Sequence, residues 1–94
     1  MFFNKIELDD SDEKEFKDAT PERWLAEKIE FHEHRLASGV TFCLAVMKDS
    51  EGKTGFNIWT LDQEGYFMEC CTGDTIEMSW IDAQAWVERH KAKM

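Results

Sequence analysis

The chain holds a single proline, three cysteines and no apolar run long enough to cross a membrane. Each scarcity excludes something. An odd cysteine count rules out a complete disulfide framework within one chain. The opening MFFNKIELDD has no long apolar stretch and meets its first acid at Glu7, so it does not read as a signal peptide. A cytoplasmic protein with reduced thiols is expected. With no glycine- or serine-rich linker and no internal repeat, residues 1–94 read as one domain, in which residues 1–19 form an acidic, loosely packed N-terminal segment.

Bases are scarce as well. Eleven Lys and Arg face twenty Asp and Glu, for a formal charge of −9. Residues 1–39 carry eleven acids against six bases and residues 40–78 seven against two, while residues 79–94 are slightly basic with two against three. Such a surface repels nucleic acid and anionic membrane and favours a basic protein partner. The remaining composition, 43% hydrophobic with four Trp and seven Phe, belongs to a chain that builds a core.

Periodicity and turn signals place the elements. In FFNKIEL the residues Phe2, Ile6 and Leu8 fall on one side of a short strand. Residues 9–19 are highly charged with Phe16 as the one anchor, and read as a solvated turn of helix or an acidic linker. Thr20-Pro21-Glu22 has the form of a helix start, and Gly39 suits the position after a helix end, so a helix is expected over about 20–38. Its core stripe is Leu25, Ile29, His32 and Leu36, with Trp24 and Phe31 on a second face. Three turn signals follow, at 49–52, 62–65 and 72–74, between VTFCLAVMK, KTGFNIWTL, YFMECC and TIEM, and these define an antiparallel meander. Ser79 then caps a last helix with Asp82 three positions on, and its apolar face is Trp80, Ala83, Trp86, Val87 and His90.

The predicted fold class is therefore α+β: a three- to four-stranded antiparallel meander flanked by an N-terminal and a C-terminal helix, with an extra strand before them. Double-stranded-RNA-binding domains share an α-β-β-β-α order. Their closing helix starts with clustered lysines, whereas this one starts SWIDAQAW, so the likeness stops at topology.

Motifs that carry chemistry are missing. His32 and His34 stand two apart, and on a helix they diverge by about 200°, unlike the i, i+4 pair of a zinc-binding HExxH. Residues 9–18 lack the central glycine and closing glutamate of a calcium loop. In MECCTGDTIEM, residues 68–78, the turn at 72–74 predicts a hairpin that sets Cys70 against Ile76 and Glu69 against Glu77. Neighbouring strand residues point to opposite faces, so Cys70 and Cys71 do not share one ion, and no C-x-x-C accompanies them. No catalytic residue, metal site or cofactor is predicted, and the chain is not expected to be an enzyme.

Carrying four-residue loops through the meander sorts the strands into two apolar faces. One holds Phe42, Leu44, Val46, Trp59, Leu61, Met68, Cys70, Ile76 and Met78. The other holds Cys43, Ala45, Met47, Phe56, Ile58, Thr60, Phe67, Glu69, Cys71 and Glu77. A second apolar face needs cover from the N-terminal segment, a helix or another chain. Two functions from different classes follow. In one, a small acidic module binds a basic nucleic-acid-processing protein as an inhibitor, in the manner of nuclease immunity proteins or anti-restriction and anti-CRISPR proteins. It would use Asp62, Glu64, Glu69, Asp74 and Glu77 and make no direct contact with nucleic acid or membrane. In the other, a homodimeric adaptor or structural module uses Met47, Phe56, Ile58 and Phe67 as an apolar interface. A small-ligand binder or motif-less enzyme is the third reading.

Overall fold

Three hairpins built to one plan set the architecture. The computed structural model describes residues 3–93. Strands β2 (Glu30–Arg35), β3 (Thr41–Lys48), β4 (Thr54–Leu61) and β5 (Phe67–Cys70) are joined by five-residue loops. Each loop closes from its first N–H to its fifth carbonyl: Leu36 to Val40 at 2.7 Å, Asp49 to Lys53 at 3.1 Å, Asp62 to Tyr66 at 2.8 Å. Glycine takes the fourth place in all three, with φ of 95° at Gly39, 82° at Gly52 and 86° at Gly65, a conformation that other residues resist. In the two acidic loops the leading aspartate also accepts two backbone N–H bonds. Asp49 takes those of Glu51 and Lys53, and Asp62 those of Glu64 and Tyr66, all at 2.8–2.9 Å.

β1 (Asn4–Ile6) pairs with β2 and completes an antiparallel order β1-β2-β3-β4-β5. Phe2, also expected on this strand, lies outside the described residues. A sixth strand, β6 (Ile76–Glu77), pairs with β4 beyond β5. Helices α1 (Asp10–Asp18) and α2 (Trp80–Lys91) make the fold α+β, as expected from the meander and the two helix signals.

The N-terminal helix is not where the cap signals put it. Thr20 closes α1 instead of opening a new helix, its hydroxyl donating to the Phe16 carbonyl at 2.7 Å. Pro21 and Glu22 start only a single 3-10 turn, Glu22–Trp24, and the chain then extends into β2. The reason is tertiary. β3 is buried on both faces along almost its whole length and needs a paired strand on each side, a demand that overrides the helix propensity of residues 25–36. With that helix gone, the element order shared with double-stranded-RNA-binding domains goes too.

α2 follows its sequence signal closely. Ser79 Oγ accepts the Asp82 N–H at 3.1 Å, and Asp82 Oδ2 accepts the Ser79 N–H at 3.4 Å, a complete capping box. The helix lays Ala83 and Val87, with Trp80 and Trp86 beside them, over Phe42, Leu44, Val46, Phe56 and Ile58. The opposite face, with Phe31, Ala45 and Met47, is covered by Trp24 and Ile29, supported by Leu8, Phe16 and Leu25. The cover over the second face therefore comes from the N-terminal third of the same chain.

β4 faces the other way round from the sequence expectation. Lys48 pairs with Thr54, so the first loop is 49–53 and not 49–52. That one extra residue turns every β4 side chain over. Phe56, Ile58 and Thr60 join Phe42, Leu44 and Val46 under α2, while Trp59 joins Ala45 and Met47.

Candidate functional site

MECCTGDTIEM is not a hairpin. β5 and β6 both run antiparallel to β4, with Cys70 opposite Trp59 and Ile76 opposite Phe56, so they are two pieces of one interrupted edge strand. Between them the chain loops outward. The Cys71 and Thr72 N–H groups both donate to the Ile58 carbonyl, at 2.7 and 3.3 Å, while Thr72 Oγ1 accepts the Ile58 N–H at 3.2 Å. Gly73, with φ of 75°, lets the excursion turn back. Glu69 consequently lies opposite Thr60 and Glu77 opposite Gly55. At ~3.3 Å per residue along β4 their backbones stand roughly 17 Å apart. The direct repulsion expected between these two glutamates does not arise.

All five acids singled out in the sequence fall along this one edge of the sheet. Asp62 and Glu64 sit in the loop before β5, Glu69 on β5, Asp74 in the excursion and Glu77 on β6. Asp62 is committed to its loop, and Asp74 Oδ1 accepts the Thr75 N–H at 2.8 Å. Glu64, Glu69 and Glu77 are exposed and have no ion pair among the described residues. No Lys or Arg occurs between Lys53 and Arg89, so the strand carries no cation of its own, although Arg89 of α2 lines a shallow pocket together with Glu77.

The anticipated apolar interface divides sharply. Met47, Phe56 and Ile58 have no exposed surface, with Met47 in one core layer and the other two beneath α2. They pack the interior and present nothing to a partner. Phe67 is different, 65% exposed between Tyr66 at 71% and Met68 at 48%. Beside it a shallow cleft of about 270 Å³ is lined by Phe16, Asn57, Trp59, Phe67 and Cys70. Sequence reasoning missed Tyr66 and this cleft, and its placement of Met68 on a core face is corrected by the side chain's exposure. The run Tyr66-Phe67-Met68 was visible, but only the edge position of β5 leaves all three in the open.

The cysteines separate by face. Cys70 lines the cleft and its Sγ lies 3.4 Å from Asn57 Oδ1, whereas Cys71 packs against the layer under α2. Burial first, then the charge of Glu69, pushes the Cys71 thiol up to about 11. Cys43 is pushed up to about 12 by burial and by Glu33, its cross-strand neighbour. The histidines correct their helical placement. On β2, His32 and His34 share the face under α2, but His32 meets the Trp80 ring at 5.0 Å and His34 that of Phe3 at 6.1 Å. His90 hydrogen-bonds the Trp86 carbonyl through Nδ1 at 2.9 Å. Among the described residues no three His, Cys, Asp or Glu side chains gather as metal ligands, and no helix is long and apolar enough to cross a membrane.

No family model, no curated protein and no solved structure matches the chain.

Proposed function

We propose that this chain is a non-catalytic protein-binding module that docks through its 62–77 edge onto the basic groove of a nucleic-acid-processing protein and blocks that groove as an inhibitor. One observation carries the reading: residues 62–77 bring five acids and no base of their own to a free sheet edge, beside three exposed large apolar side chains. A solubility surface needs charge alone. An interface needs charge to select and steer a partner and apolar area to hold it, and this edge has both.

The homodimer through a sheet face has less to support it, since three of the four residues named for that role, Met47, Phe56 and Ile58, are interior. Carboxylates spaced along a strand offer a basic groove some of what a phosphate backbone offers it, with binding that weakens as salt rises. The test is capture from the native host's extract by the wild type and by Glu69→Lys/Glu77→Lys, at low and high salt and with competing duplex DNA. A basic nucleic-acid enzyme held by the wild type, released by salt and DNA, and lost with the double variant is the expected result. The same partner held equally by both proteins would place binding elsewhere.

A further inference from the structure

We infer that the partner engages this edge by strand addition, pairing an extended basic segment with β5 and seating one apolar side chain in the cleft beside Phe67. The inference rests on the acidic-edge proposal above and specifies its mode.

β5 pairs with β4 alone among the described strands. Alternate backbone N–H and C=O groups of Phe67–Cys70 therefore point out of the sheet, a ready template for another strand. Edges built only to repel strands carry charge where the partner would lie. Glu69 on β5 is such a charge, but this edge also shows Tyr66, Phe67 and Met68, with Glu64 before them in the loop. The bulge between Thr60 and Leu61 shifts the register so that Thr60 faces Glu69 while Leu61 faces Phe67. Phe67 and Cys70 are thereby brought to one cleft although they stand three apart.

Size and charge choose the occupant. At about 270 Å³ the cleft is smaller than the roughly 300–1,000 Å³ of small-molecule sites, and it is shallow and open to solvent. It has room for one branched aliphatic side chain presented by a neighbouring backbone. A second copy of this chain would bring the same unpaired acids to the edge and be repelled. A segment alternating Lys or Arg with Val or Leu sets cations against Glu64 and Glu69 and an apolar group into the cleft. Backbone pairing supplies affinity and the alternate pocket supplies specificity, as in other strand-addition complexes.

The experiment uses the full chain, isotope-labelled, with three synthetic peptides of equal charge. One alternates Lys with Val, one alternates Lys with Ser, and one is the Lys–Val peptide N-methylated at every second residue. The Lys–Val peptide is expected to slow amide exchange at outward positions of Phe67–Cys70 and to bind about tenfold more tightly than either control. Phe67→Ser, an exposed position, lowers that affinity about tenfold without moving thermal stability. Equal binding of all three peptides, abolished by Glu69→Lys, would overturn strand addition and leave the acidic-edge proposal standing. No binding of any peptide, at low salt and high concentration, would overturn both. Protection of the same amides that grows with protein concentration alone would assign the edge to a second copy and overturn the inference.

Discussion

The ring of Trp24 lies directly against the bare backbone of Gly55. A Cβ at position 55 would sit 2.7 Å from Trp24 Cζ3 and 2.9 Å from both Trp24 Cε3 and Thr75 Cγ2. Trp24 is only 4% exposed and seals the layer holding Ala45 and Met47, so the close approach fixes how the N-terminal segment covers the sheet. Gly55→Ala should destabilise the protein by about 1–3 kcal/mol, the usual cost of overpacking. Denaturant unfolding gives the magnitude, and a shift in tryptophan emission reports the displaced ring. An unchanged midpoint would mean that the segment is held some other way.

Phe16 does for α1 what Trp24 does for the 3-10 turn. α1 has no buried residue, yet the Phe16 ring centre is 5.4 Å from those of both Phe31 and Trp59. Phe16→Ala should cost about 1–3 kcal/mol, less than a fully buried phenylalanine would. Amide exchange is the discriminating readout. Protection should vanish from α1 while β3 and β4 keep theirs, as expected of a helix held by one side chain.

The acid limb of the stability curve should depend on Asp49. Burial opposes its ionisation, but the N–H groups of Lys53 and Glu51 and the charges of Arg23 and Lys53 together outweigh it and hold the carboxyl below the usual carboxylate range. A depressed folded value adds stability that is complete above about pH 4 and is lost as pH falls through that folded value. Asp49→Asn should therefore be less stable than the wild type at neutral pH, and the gap should narrow in acid. Thermal melts of both proteins across the acid range measure it. A gap independent of pH would show that the charge contributes nothing.

Thiol chemistry gives the opposite sign. With folded values raised to about 11 at Cys71 and about 12 at Cys43, folding favours the protonated thiols, so stability falls as pH climbs above the ordinary thiol value. At about pH 8 an alkylating reagent should label Cys43 and Cys71 far more slowly in the folded than in the unfolded chain. Peptide mass mapping after timed quenching checks both sites, and fast labelling at Cys43 would contradict the buried position of β3.

Much of this structure is legible in the sequence. The glycine-marked loops point to the meander, and Ser79 with Asp82 marks the start of α2 to the residue. What failed did so for definable reasons. Thr20-Pro21-Glu22 began a helical turn that could not continue, because β3 needed residues 30–35 as a strand. Lys48 pairing with Thr54 added one residue to a loop and inverted a strand, a difference no local pattern encodes. The acids of the candidate site were legible from charge alone. Their true relation was not, because whether residues 72–74 close a hairpin or interrupt an edge depends on what β4 offers the Cys71 and Thr72 amides.

The most direct test of the proposed edge is site-specific photo-cross-linking in the native host. A benzophenone amino acid is placed at Phe67 and, for comparison, at the exposed Ala37 in the loop between β2 and β3. The account predicts a cross-link from position 67 to one basic nucleic-acid-processing protein, absent at position 37 and lost when Glu69→Lys/Glu77→Lys is added. Cross-links from position 67 only to another copy of this chain, or to the same partner with both charges reversed, would contradict it.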